Sequence, residues 1–185
     1  KGLVVDGRTV EGSDIALLTD SLRATMAAHT GPALDVALDD LGWQDMLAEI
    51  PEVAIPLVFR LLGETGCHAS IINDVLGTER SATEYPLPMT GDLWLRWHRG
   101  TDTASPALDP ELPLSQTDPG PLPKDALIRG RIALGWWLVG SSRAMLTLAR
   151  THALDRTQFG KPIASFQAVR HRLAETLVAI EGAEA

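Results

Sequence analysis

Hydrophobic residues change their spacing several times along this chain, and each change marks an element. In "GLVVDGRTVEG" Asp6-Gly7 sits between two β-branched runs. Glycine accepts the positive φ of a tight turn, so the stretch predicts a short β-hairpin. From Ser13 the period lengthens: Ile15, Leu18, Leu22 and Met26 recur every three or four residues. That spacing predicts an amphipathic helix capped by Ser13 or Asp14 and ending near Gly31-Pro32. Two further helical pieces follow, one around Leu34 to Glu49 and one from Pro51 to about Leu76. Pro51 suits a first helical position, where its missing N–H costs nothing, and Pro56 in the same turn region competes to set the true start. Ile55, Phe59, Leu62, Ile71, Ile72 and Leu76 form the expected core face, with Gly63 and Gly66 weakening its middle. The N-terminal third reads as a small helical bundle.

Eight of the twelve prolines fall between Pro86 and Pro123. Within that segment only "DLWLRWH" reads as a strand, with Leu93, Leu95 and Trp97 alternating against Trp94 and Arg96. The prolines of "DPELPLSQTDPGPLP" break any helix or central strand, so a reduced β layer or a linker is expected. From Lys124 to about Asp155 the pattern turns helical and apolar around the whole circumference, which predicts burial on several sides. Gly130, Gly135 and Gly140 each cost such a helix about 1 kcal/mol, a cost that close approach of a neighbouring helix or subunit repays. The last segment has a cleaner seam at Phe166, Val169, Leu173, Leu177 and Ile180.

Composition narrows the class. An apolar fraction of 45% with 22% charged residues is ordinary for a globular domain. With 24 acidic against 16 basic residues the net charge is −8, which argues against a non-specific binder of nucleic acid or of an anionic membrane. The single cysteine, Cys67, excludes an intramolecular disulfide and any multi-cysteine metal site, and fits a reducing, cytoplasmic setting. Cys67 and His68 are neighbours, and neighbours on a helix point about 100° apart. A buried structural thiol is the expected role. No uncharged apolar run approaches the ~18 residues of a membrane span, and no metal-binding spacing, phosphate-cradling glycine loop or hydrolase-type arrangement stands out. His171 reads as a solvated or core histidine, Glu175 as the surface partner of Arg172, Asp39-Asp40 as a solvated face, and Trp94 and Trp97 as packing residues.

The stretch "RTQFGKPIASFQ" carries the richest chemistry. Arg156 closes the long helix, Gly160 and Pro162 end one element, and Ser165 is placed to cap the next. One reading is a helix–helix corner in which Arg156 bonds terminal carbonyls and Phe159 plugs the core. The other is a ligand corner: an arginine grips a diphosphate with two donors, Gln158 and Gln167 read polar edges, Phe159 packs on a ring, and the next helix start offers free N–H groups. The residues by themselves permit both.

"DRTQFGKPIASFQAVRHRLAE" resembles the C-terminal-domain signature of the acyl-CoA dehydrogenase family. Arg156, Phe159, Gly160, Ile163, Phe166, Gln167, Leu173 and Ala174 fall in register with it. The strong resemblance runs from Lys124 to the last residue; "LGWQDMLAE" and "FRLLGETG" are similar to parts of the family's N-terminal helical domain. It implies a mainly α, acyl-CoA dehydrogenase-like fold: a β-hairpin over 1–12, a reduced N-terminal helical domain over 13–80, a reduced β and proline-rich segment over 81–123, and part of a C-terminal helical bundle over 124–185.

In this family the corner of one subunit reaches FAD bound mainly by its neighbour. The resemblance therefore implies that Arg156 meets the pyrophosphate, Gln158 and Phe159 line the cofactor, and Gln167 lies toward its adenosine half. It implies an acyl-CoA substrate and a homologous acyl-CoA dehydrogenase subunit as partner, in a homo- or hetero-oligomer. The family's glutamate base lies late in the C-terminal domain or early in its first helix; at the second place this sequence has Gly130, so no catalytic residue is assigned. The Trp-Ile/Val-Thr/Ser stretch of the β domain is likewise missing. Two expectations follow: the sequence records part of a longer chain, or it is a reduced subunit beside a partner that supplies the base, as in heteromeric enzymes that act on steroid side chains. A non-catalytic scaffold subunit is the alternative. Leu173, Leu177 and the Trp136-Trp137 surface are expected to lie at a subunit interface.

Overall fold

The computed structural model describes the backbone of residues 3–5 and 8–10 and all of residues 12–77, 84–99 and 112–185. β1 (Leu3–Val5) pairs antiparallel with β2 (Arg8–Val10), Leu3 opposite Val10 and Val5 opposite Arg8. The turn residues Asp6 and Gly7 lie outside the described residues. α1 (Gly12–Ala28) buries Leu22 and Met26, with Ile15 and Leu18 half-buried on the same face. It begins before Ser13 and Asp14, so both sit inside the helix rather than at its cap, and Asp14 favours the positive end of the helix dipole.

The single helical piece expected over 34–49 is two: α2 (Pro32–Asp40) and α3 (Trp43–Glu49). Between them Gly42 takes φ +86°, a left-handed conformation that glycine enters at little cost and that no helix continues through. The same device divides the next piece. α4 (Pro51–Thr65) stops at Gly66, φ +73°, and α5 (Ile72–Leu76) follows after a short loop. Pro51 takes the expected first-turn position, and Pro56 is accommodated inside α4 without moving its start. Cys67 and His68 lie in the loop, not on a helix; the Cys67 thiol is half-buried and donates to the Met26 carbonyl at 2.8 Å.

α4 is the central helix. Val53, Ala54, Ile55, Leu57, Val58, Phe59, Leu61 and Leu62 are all buried, each large side chain contributing roughly 1.5–3 kcal/mol of transfer free energy. α6 (Lys124–Asp155), bounded as its pattern predicts, crosses α4 at very close range. A Cβ on Gly140 would stand 1.9 Å from the Arg60 carbonyl oxygen, and one on Gly63 2.2 Å from that of Trp137. Gly63 thus permits the helix crossing rather than weakening α4. Gly130 is pressed against Leu76, whereas Gly135 has nothing within 4 Å. Within this chain α6 is buried on one side only, through Ala126, Gly130, Ala133 and Gly140, with Ala153 near its end; its large apolar residues face outward. By length and composition it is a helix long and apolar enough to cross a membrane, a property that the search for uncharged runs missed.

Three short strands form the second layer: β3 (Pro86–Pro88), β4 (Trp94–Trp97) and β5 (Leu114–Gln116), antiparallel in the order β3-β4-β5. The sequence pattern found β4 and missed its neighbours, which are edge strands; there a proline's missing N–H faces away from the ladder. Leu95 and Trp97 point inward. Trp97 stacks on Trp137 at 5.5 Å between ring centroids, and Trp137 meets Phe59 edge-on at 5.9 Å, so Trp137 joins the core. A polar network also ties the layers. Asn73 donates to the carbonyls of Ser70 and Trp97 at 3.1 and 3.0 Å, and Asp74 accepts from Arg99 at 2.6 Å and from the Trp43 indole at 3.0 Å.

Candidate cofactor-binding corner

α6 ends with Arg156 at its C-cap, where the backbone N–H still reaches the His152 carbonyl at 2.8 Å while ψ of 115° turns the chain outward. β6 (Thr157–Gln158) and β7 (Lys161–Pro162) then form a minimal antiparallel hairpin, Thr157 opposite Pro162 and Gln158 opposite Lys161. The amide of Ile163 donates to the Arg156 carbonyl at 2.8 Å and closes its base. Phe159 and Gly160 are the two turn residues, at φ +53° and +77°. Positive φ at both positions is the requirement of a type I′ hairpin turn, normally met by Asn-Gly. Gly160 meets it freely. A phenylalanine there costs roughly 1–2 kcal/mol, and strain of this kind concentrates at ligand-contacting sites.

The Phe159 ring is 91% exposed. It does not plug the core, which removes one half of the structural reading of this corner; its contact is the edge of Phe166, at 6.2 Å and 85°. Lys161, which the sequence reading passed over, places its ammonium 4.5 Å over the Phe166 ring, a cation–π contact across five residues of turn that helical or strand periodicity does not reveal. Among the described residues the Arg156 side chain has no hydrogen bond or ion pair, so it does not bond the terminal carbonyls as that reading required. Gln158 is exposed on β6.

A 3₁₀ turn, Ile163–Ser165, leads into α7 (Gln167–Glu184). Ser165 does not cap α7: Phe166 is the N-cap, in an extended conformation, and no side chain bonds the first N–H groups. Those amides remain available at the helix start. Gln167, the first residue of α7, is exposed and lies 3.4 Å from His171. Arg156, Gln158 and Phe159 are thus gathered on one hairpin with Gln167 at the adjoining helix start, all turned to solvent. The set suits an anionic, ring-bearing group such as a flavin dinucleotide: a planar guanidinium for the diphosphate, an aromatic face, and two amides. No wall of this chain encloses it, and the clefts found lie elsewhere.

One cleft, about 290 Å³, is lined by Asp35, Trp43, Ser70, Asp74 and Arg99 among others. Burial pushes the Asp35 carboxyl above the usual carboxylate range, against the lowering effect of two bonds from Ser70, from its amide at 2.7 Å and its hydroxyl at 2.8 Å. The second, about 630 Å³, lies between α6 and α7 beside Arg143 and Leu177. Arg143 clamps the end of α7, donating to Glu181 at 2.8 Å and, through two nitrogens, to Glu184. These bonds hold the Glu184 carboxyl below its ordinary range. Arg172 pairs with Glu175 at 3.4 Å on the surface, as its spacing suggests. Among the described residues no cluster of three or more His, Cys, Asp or Glu is placed to hold a metal.

The helical layers with a small sheet define a mainly α fold of the acyl-CoA dehydrogenase type. Residues 121–185 match the family model described as the acyl-CoA dehydrogenase C-terminal domain, and the chain belongs to that family through this domain. Acyl-CoA dehydrogenase IpdE2 of Mycolicibacterium smegmatis is 32% identical over 100 residues, covering 51% of this chain and 32% of the relative. IpdE2 of Mycobacterium tuberculosis is 45% identical over 47 residues, covering 25% of this chain and 15% of the relative. The benzylmalonyl-CoA dehydrogenase of Aromatoleum aromaticum is 42% identical over 60 residues, covering 32% and 16%. The chain thus spans a third or less of the length of these curated relatives. Among solved structures, a Tcur3481-Tcur3483 steroid ACAD variant superimposes with a TM-score of 0.52 at 17% identity, covering 92% of this chain and 74% of that one. At that identity the likeness shows the fold.

Proposed function

We propose that this chain is a subunit of an FAD-dependent acyl-CoA dehydrogenase, and that its β6–β7 corner reaches a flavin held mainly by another subunit. The supporting observation is the combination on one hairpin of an unpaired Arg156 and an outward Phe159 in a strained conformation. In this reading Arg156 binds the diphosphate with two donors, Phe159 and Gln158 border the ring system, and Gln167 and the α7 amides face the adenosine half. The flavin, when bound, supplies the acceptor for the hydride leaving the β carbon of an acyl-CoA thioester. The chain's own contribution is to bind, orient and exclude water.

A carboxylate base is the other requirement. Gly130 occupies its possible place on α6, and Leu76 leaves no room there for a side chain. We assign the base to a homologous partner subunit, no catalytic residue to this chain, and the assembly to the cytoplasm. The domain division is a hairpin over 1–12, helices over 13–80, a β and proline-rich segment over 81–123 and C-terminal helices over 124–185. The steroid title of the structural neighbour and the aryl-acyl name of one relative favour a bulky acyl-CoA substrate.

Flavin retention tests the reading. Arg156→Ala in the co-purified assembly removes a charge-assisted bidentate contact of roughly 1.5–3 kcal/mol, which predicts about 10- to 100-fold weaker retention by flavin absorbance. Arg156→Lys restores only part of it, because a point charge cannot grip two oxygens in one plane. Unchanged flavin and unchanged turnover in Arg156→Ala would establish the scaffold reading instead.

A further inference from the structure

The outward side of α6 carries an ordered pattern that nothing in the chain uses. Leu134, Leu138, Met145 and Leu148 lie on one side of the helix at spacings of four, seven and three, and all are exposed, Leu138 at 69%, Met145 at 62% and Leu148 at 71%. Beside them run the small residues Gly135, Ser142 and Ala149, seven apart. The pattern is nearly palindromic about the point between Ser141 and Ser142. Reversing the helix there sets each large residue against a small one: Leu134 on Ala149, Leu148 on Gly135, with Leu138 beside Met145 and the two serines at the centre. A surface that complements itself after a two-fold rotation is the signature of an isologous contact.

Gly135 supplies an independent argument. Gly130 and Gly140 are both filled against by neighbouring elements, whereas a side chain on Gly135 would meet nothing. Within one chain it disfavours a helix and returns no contact. In the reversed pair it is the socket for Leu148 of the second copy.

We propose that α6 pairs antiparallel with α6 of a second copy of this chain about an axis between Ser141 and Ser142. The pairing uses a side of α6 that neither α4 nor the β6–β7 corner occupies. Two copies joined in this way present two flavin-facing corners, and the contact stands whether or not those corners bind flavin. α6 is also long and apolar enough to enter a bilayer, but its other side is locked to α4 through Gly63 and Gly140. A second helix is therefore the favoured occupant.

Sedimentation of the full chain over a hundredfold concentration range, in detergent-free buffer, tests this. The wild type is expected at twice the chain mass. Gly135→Leu, which fills the socket yet touches nothing in the single chain, is expected to shift the species to the single-chain mass with helix content by circular dichroism unchanged. Should that variant fold poorly, Leu138→Glu at an exposed position gives the same readout. Ser142→Cys, with Cys67→Ser to remove the native thiol, is expected to cross-link two chains on oxidation. A wild type that stays single, one that floats with phosphatidylcholine vesicles instead of pairing, or a dimer that persists in both blocking variants overturns the proposal. So does a wild-type dimer in which Ser142→Cys fails to cross-link.

Discussion

Replacing Phe159 separates backbone strain from ring contact at the corner. Phe159→Ala removes the edge contact with Phe166, about 0.5–1 kcal/mol, and leaves a Cβ in the left-handed region, where a non-glycine residue costs roughly 1–2 kcal/mol. Phe159→Asn removes the same ring but supplies the residue that favours φ near the observed +53°. The two variants differ chiefly in the strain. Asn is expected to be more stable than Ala by about 1 kcal/mol, or ~2–4 °C in Tm for a chain of this size. Thermal unfolding followed by circular dichroism reads the stability, and absorbance of co-purified flavin reads the ligand contact, which both variants are expected to weaken. Equal melting temperatures for Asn and Ala would refute the strained turn; full flavin retention in Phe159→Asn would refute the ring's role.

Other consequences are tested with single substitutions. Gly140→Ala forces a Cβ to within 1.9 Å of the Arg60 carbonyl oxygen, backbone against backbone; it is expected to cost about 3 kcal/mol or more by chemical denaturation. Arg143→Ala releases the end of α7 and is expected to cost up to about 1 kcal/mol, since the pair is partly solvated. The Glu184 carboxyl is depressed in the fold, so the stability it contributes is present above about pH 4.5 and lost as pH falls through its folded value. Asp35 acts with the opposite sign. Its carboxyl is raised by burial, so its contribution is present below about pH 3.8 and lost as pH rises through the folded value. Denaturant titrations from pH 3 to 7 are expected to show that this loss is missing in Asp35→Asn; an identical pH profile would remove Asp35 from the account.

Much of the fold was legible in local pattern, and the omissions share one cause. The bounds of α6, the inward side of β4 and the pairing in β1–β2 follow from periodicity, because each is a property of adjacent residues. The breaks at Gly42 and Gly66 were hidden, since a glycine tolerates both a helix and the left-handed turn that ends one. β3 and β5 were hidden because their prolines are acceptable only at a sheet edge, and edges are defined by what lies beside them. At the corner, chain order placed Arg156, Gln158, Phe159 and Gln167 in one motif, but only the hairpin showed Phe159 facing solvent, Arg156 unpaired, Ser165 displaced from the cap and Lys161 over a ring.

By itself the sequence determined the helical class, the family through its C-terminal motif, and which side chains stand at the corner, all of which depend on residue identity and short-range spacing. Only the tertiary structure decided that α4 and α6 touch through Gly63 and Gly140, that Trp137 closes the core against Trp97, and that the large apolar residues of α6 face outward. A helix with apolar residues all round does not specify which side another helix takes. Backbone approach does, and on α6 only the line of small residues through Ala133 and Gly140 allowed it.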